Sequence, residues 1–305
     1  MRRPTRATAA GQAYLDLQNR ARAEGRATQE LLTLYVVERW LARLSMSPYA
    51  DQFIIKGGML LAAYDARRAT ADLDALARAV SNDQSAVVER VIQIAHQAPA
   101  YDDGVEYRAD TVSSRIIRDE AVYSGVRIAM GCAIATAMVK FRLDVNFGDP
   151  VTPAPRHLSL PSLRPGMPPV RVLGYPIETV LAEKITTAIG LGPANTRVRD
   201  YADIHTLTRT WPVDHGTARE ALLATAAFRG TTPAALSSAV DNLADLRQQS
   251  YAAYRANLGT VGENLPANFG EVVEAVIAFA DALESEAPEG TTWHPQQRQW
   301  ARMNL

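Results

Sequence analysis

Hydrophobic residues recur at helical spacing over residues 28–46. There Leu31, Leu32, Leu34, Tyr35, Val36, Trp40, Leu41 and Leu44 predict one amphipathic helix. The period then changes. Phe53-Ile54-Ile55 predicts a short buried strand running into Gly57-Gly58, with a helix over 59–64, a strand over 72–77, and a helix over 83–98 capped at Asn82 or Asp83. Residues 104–130 hold short alternating runs compatible with antiparallel strands. The clearest strand is 139–147. Val139, Phe141, Leu143, Val145 and Phe147 take one face, and Lys140, Arg142, Asp144 and Asn146 take the other.

Residues 148–169 are rich in proline and show no period, which predicts a loop or lobe boundary. Beyond it the pattern is helical over about 177–190, 198–210, 214–228, 232–258 with a break, and 269–286. The polar tail after Pro288 carries Trp293 and Trp300, which dock it on the body or on a partner. The start, MRRPTRATAAGQ, is basic without the apolar segment of a signal peptide and reads as a short disordered tail. The expected organisation is a flexible or partly helical segment over 1–27, a mixed-sheet lobe over 28–165 and a helical lobe over 166–305, an α+β protein.

Composition narrows the chemistry. Cys132 is the one cysteine, so neither a disulfide framework nor a cysteine-based zinc site is available. The five histidines show no metal-ligand spacing. No apolar run approaches the ~20 residues of a membrane span, and the expected location is the cytoplasm. A net charge of −1 argues against a general nucleic-acid coat and leaves room for a local basic patch.

The candidate chemistry begins at Lys56-Gly57-Gly58-Met59 and continues at Asp72-Leu73-Asp74. Alternate strand residues share a face, so Asp72 and Asp74 point one way while Leu73 turns into the core. Two such carboxylates suit a pair of Mg²⁺ ions ~3.5–4 Å apart, the arrangement of in-line phosphoryl chemistry. Gly57 and Gly58 let backbone N–H groups approach a phosphate at the start of the next helix. Two nearby aspartates also commonly cap a helix or line a solvated turn. Asp144, on the polar face of its strand, is a third carboxylate for the same site, against the plainer reading of a solvated sheet face. Lys184 lies within the apolar stripe of Ile177, Val180, Leu181, Ile185 and Ala188, where an amine needs an anion or must snorkel to water.

The GG turn followed by DxD resembles the nucleotidyltransferase signature of the DNA polymerase β superfamily. The flanks LYVVERWLARLSMSPYADQFIIKGGMLL and YPIETVLAEKITTAIGLGPANTRVRDYADIHTL resemble the AbiEii family of type IV toxin–antitoxin toxins, the group that includes the mycobacterial MenT toxins. The likeness covers about residues 31–210. It implies a polymerase β-like nucleotidyltransferase lobe, with the helical lobe completing the active site. The family's AEK motif falls on Ala182-Glu183-Lys184, which implies that Lys184 meets nucleotide phosphate and that Glu183 is a structural partner. Its RxRDxxD motif falls on Arg197, Arg199, Asp200 and Asp203. Asp200 is then expected to position Lys184 or the nucleotide, ahead of Asp203, and Arg197 or Arg199 to contact phosphate. A surface pair between Arg199 and Asp203 is the structural alternative. Arg68 and Thr70 are further phosphate contacts, unless Arg67-Arg68 is a solvated turn.

The resemblance implies transfer of a nucleoside monophosphate from an NTP, with Mg²⁺ or Mn²⁺ held by Asp72, Asp74 and Asp144. The implied acceptor is RNA, at the 3′ end of tRNA, with translation blocked. The implied partner is a cognate antitoxin that need not form a stable complex. Three other readings stand beside it. They are a small-molecule transferase of the aminoglycoside-modifying kind, a non-catalytic nucleotide- or RNA-binding module, and a protein-interaction role for residues 171–305.

Overall fold

A computed structural model describes residues 3–68, 70–119 and 123–302. The chain divides into two compact units, the first comprising Met1–Gly148 with Arg156–Gly174 and the second Asp149–Pro155 with Tyr175–Leu305. Ala69, in the turn before the aspartates, lies outside the described residues.

The first unit opens with α1 (Ala9–Glu24), a helix within the segment expected to be flexible or partly helical, which begins inside the stretch 1–12 read as a disordered tail. The Thr8 hydroxyl accepts the Gly11 N–H to cap it, and Gly25 closes it in the left-handed region. Its apolar stripe of Ala13, Leu17 and Ala21 is thin but fully buried, so packing rather than propensity holds the helix. Met1 and Arg2 fall outside the described residues.

The next helix, α2 (Thr28–Met46), has the expected limits and is buried on nearly all sides. Its charged residues are therefore paired internally. Arg39 donates to Glu38 at 2.6 Å, and Arg43 donates to both oxygens of Asp103 at 2.6 and 3.2 Å. Trp40 packs edge-on against Phe53 and tilted against Phe141.

The remaining elements of this unit are β1 (Phe53–Lys56), α3 (Gly57–Leu60), β2 (Leu73–Ala77), α4 (Gln84–Ala95), β3 (Glu106–Asp119), β4 (Tyr123–Ile134), β5 (Ala137–Phe147), β6 (Arg156–Leu160) and β7 (Val170–Gly174). Asp83 caps α4 by accepting the Ala86 N–H. The strands form one mixed sheet in the order β3-β4-β5-β2-β1-β7-β6. β2 runs parallel to β5 and β1 to β7, while the other neighbours are antiparallel. The short runs expected over 104–130 are two long strands of one hairpin, with a bulge between Arg108 and Ser113. The stretch read as a proline loop contains β6, an edge strand whose prolines lie outside its five residues.

The second unit is mainly helical, with α5 (Ile177–Leu191), α6 (Val198–Thr210), α7 (His215–Arg229), α8 (Leu236–Ala239), α9 (Leu243–Asn257) and α10 (Phe269–Ala280). Small strands β8 (Val213–Asp214), β9 (Thr291–His294) and β10 (Gln299–Arg302) form a second sheet. The tail folds onto its own unit. Trp293 donates to the Thr208 carbonyl at 2.7 Å and Trp300 to the Phe279 carbonyl at 3.0 Å. The architecture is α+β, as the alternation of patterns predicts. Among the described residues no helix is long and apolar enough to cross a membrane.

Candidate active site

Register across the sheet decides which side chains can meet. Residues paired across neighbouring strands share a face. Arg115 pairs with Arg127, Arg127 with Asp144, Asp144 with Asp74 and Asp74 with Lys56. One row across five strands therefore carries two cations, two carboxylates and a third cation. Asp72 sits just before β2, with Oδ1 3.7 Å from Arg142 Nη1. The sequence-predicted Asp72, Asp74 and Asp144 thus gather on one face of the first unit.

Gly57 takes φ +67°, a region that disfavours any Cβ. Its own missing Cβ would collide with the Asp74 carboxylate. At Gly58 a Cβ would come within 2.9 Å of Arg68 Nη1 and 3.0 Å of Thr70 Oγ1. Thr70 in turn donates to the Asp72 carbonyl at 3.0 Å, pinning the turn that leads into β2. Gly57 is required for its close approach to Asp74, while at Gly58 the flexible Arg68 guanidinium and the Thr70 side chain would have to give way only slightly. The glycines open α3, which runs directly into a 3-10 turn over Leu61–Tyr64. Arg67 is no solvated turn residue: it donates to the Pro161 carbonyl and lies 4.0 Å from the buried Glu38 carboxylate.

The sequence reading missed Arg127. Its Nε and Nη2 donate to Asp144 Oδ1 and Oδ2 at 2.7 and 2.5 Å, a bidentate clamp. That hydrogen bonding, with the nearby charges of Asp144, Asp72 and Asp74, holds the guanidinium above its ordinary pKa. Strand alternation in Val126-Arg127-Ile128-Ala129-Met130 places Arg127 on a polar face; its pairing with Asp144 becomes visible only once the register is known.

Among the described residues no group of three His, Cys, Asp or Glu side chains is gathered for a metal ion. Mg²⁺, however, is usually held by one or two carboxylates together with substrate phosphates. Asp72 and Asp74 meet that lesser demand, and Asp72 Oδ1 is buried without a hydrogen-bond partner. Asp144 differs, since both its oxygens accept from Arg127.

Lys184, Arg197, Arg199, Asp200 and Asp203 belong to the second unit. Lys184 does not snorkel. Its Nζ donates to Asp200 Oδ1 at 2.8 Å and Asp203 Oδ2 at 2.7 Å, bridging α5 and α6. Arg197 Nε adds a bond to Asp200 Oδ2 at 2.5 Å. Burial pushes the Asp200 carboxyl up, but Lys184 and Arg197 outweigh it and hold the pKa down at about 2. Asp203 is buried and turned to Lys184, so the surface pair with Arg199 does not form; Arg199 is exposed. Glu183 pairs with Arg229 at 3.0 Å.

Gly57→Ala tests the contact at Asp74. Displacing a carboxylate by about 1 Å can cost up to ~100-fold, so kcat/KM should fall by one to two orders of magnitude. Gly166→Ala is the control, because Gly166 has φ +76° and open space around its Cβ position. It carries the same backbone penalty, and its activity should stay near wild type. Equal losses in both variants would assign the effect to backbone strain.

Residues 39–285 match the family described as nucleotidyl transferase AbiEii toxin, type IV TA system. Among solved structures, the nucleotidyltransferase toxin MenT4 of Mycobacterium tuberculosis is similar at 15% identity and TM-score 0.48, over 89% of this chain and 98% of that one. The JHP933 protein of Helicobacter pylori is similar at 16% identity and TM-score 0.47, over 85% and 93%. No curated protein sequence matches.

Proposed function

Since the chain belongs to the AbiEii nucleotidyltransferase toxin family, we propose that it moves a nucleoside monophosphate from an NTP to an RNA hydroxyl, releasing pyrophosphate. The acceptor in this reading is the 3′ end of tRNA, the reaction takes place in the cytoplasm, and the outcome is blocked translation. An antitoxin would be the partner, as the family implies.

The observation that carries the reading is the row in which Gly57 lies against Asp74 and Asp74 pairs with Asp144. Asp72 and Asp74 would hold Mg²⁺, or Mn²⁺ in its place. The ion, when bound, neutralises triphosphate charge and lowers the pKa of a bound hydroxyl. Arg127 fixes the Asp144 carboxylate, so the third acid keeps one orientation beside the reacting end. Gly57 and Gly58 keep the turn low enough for phosphate to approach, and Arg68 and Thr70 flank that approach. Catalysis of this type depends mainly on positioning and electrostatics. Lys184, with Arg197, Arg199 and Asp200, is carried as a nucleotide-binding candidate on family resemblance alone.

The test is reaction with each labelled NTP in turn, offered total tRNA or an aminoglycoside, followed by sequencing of RNA 3′ ends. Label on RNA ends, together with growth arrest by induced wild type and none by Asp72→Ala, is the expected result. Label on the antibiotic would move the assignment to small-molecule transfer. Equal arrest by both proteins would point to a binding effect instead.

A further inference from the structure

The face that carries the carboxylates continues outward along the β3–β4–β5 wing and changes sign there. Beyond Asp144 the central row holds Arg127 and then Arg115. The next row holds Ser113, Ala129 and Arg142. The one after it holds Arg108, Gly131 and Lys140. Five cations thus share one sheet face in a chain whose net charge is −1.

Their charges are unequally satisfied. Arg127 is clamped to Asp144, Arg142 lies 3.7 Å from Asp72, and Arg108 lies 3.6 Å from Glu106. Arg115 and Lys140 are exposed and form no ion pair among the described residues. Lys140 lines an open groove of about 300 Å³, floored by Ala129 and Gly131 and edged by Thr111 and Ser113 on β3 and by Met138 on β5; Arg115 lies two residues beyond Ser113. The β3 bulge shapes it: there the Gly131 N–H donates to Thr111 Oγ1 at 2.8 Å.

We propose that this groove, with Lys140 and the neighbouring Arg115, is the track for the sugar–phosphate backbone of the RNA acceptor. The inference rests on the reading of the chain as an RNA-directed nucleotidyltransferase. Arg, Lys, Ser and Thr side chains are the groups that contact phosphate oxygens and sugars. Small residues on the floor admit a backbone, and Met138, exposed beside Lys140, adds an apolar surface at the groove's β5 edge. The order of charges also gives direction. A polyanion is attracted at Arg115 and Lys140 and repelled at Asp72 and Asp74 unless cations are present there. The strand is thus held along its length, and its end reaches the carboxylates only when the site is charged for reaction.

The experiment measures binding apart from activity. A fluorescein-labelled single-stranded RNA of about a dozen nucleotides is titrated with wild type and with Arg115→Gln/Lys140→Gln, without NTP, across ~50–200 mM salt. Both residues are exposed, and unchanged melting confirms the fold. The double variant should bind about tenfold more weakly, and its salt slope should shrink by about 1.4, two contacts at ~0.7 each for a single strand. Arg115→Lys/Lys140→Arg should restore both. Unchanged affinity and slope in the Gln variant would overturn the track, as would polyglutamate competing as well as RNA, which would favour an acidic protein partner. Failure of wild type to transfer nucleotide to any RNA would remove the functional reading, and the salt slope would still decide the track.

Discussion

Asp74→Asn should lower kcat/KM for nucleotidyl transfer by about 10³-fold or more, with the melting temperature nearly unchanged. The substitution keeps shape and removes charge, and the loss expected for a metal-binding carboxylate is roughly 4 kcal/mol, at ~1.4 kcal/mol per factor of ten. Asp74 is only half-buried and its strand is fixed by neighbours on both sides, so the fold has little reason to respond. Initial rates across a range of NTP concentrations, paired with a thermal melt, separate the two quantities. Activity within tenfold of wild type in a folded Asn variant would sink the assignment of this row as the site.

A second large effect is expected at Lys184, on stability. Lys184→Met leaves Asp200 and Asp203 buried with their shared cation gone. Removing one partner of a buried ionic group typically costs ~3–5 kcal/mol. For a unit of this size that corresponds to a melting shift of roughly 10–15 °C. Adding Asp200→Asn and Asp203→Asn should recover most of it, since neutral amides no longer repel. A Met variant that melts like wild type would show that the bridge between α5 and α6 contributes nothing. The same geometry means a lysine-to-methionine swap cannot isolate a phosphate contact, because it perturbs the helix pair as well.

The sequence made some of this legible for identifiable reasons. The limits of α2 were readable because its apolar positions keep helical spacing throughout, and β5 because its alternation is nearly unbroken. Asp72, Asp74 and Asp144 could be placed on polar faces from alternation alone. What could not be read was register. Nothing local says that Arg127 pairs with Asp144 rather than with solvent, or that Lys184 reaches Asp203 nineteen residues on. β6 was hidden because the prolines around it dominate a short strand's signal. The extent of α1 was hard to read because the stripe it buries, Ala13, Leu17 and Ala21, is made of small or medium residues and gives a faint signal.

The interleaving of the two units constrains how the gene can be cut. The chain leaves the first unit at Gly148, returns at Arg156 and leaves again only after Gly174. β7 lies between β1 and β6 in the sheet, so a fragment stopped at residue 165 would carry β6 without its neighbour and β1 with an open edge. A split between residues 156 and 174 would sever the sheet that positions Lys56, Gly57 and the carboxylates beyond them.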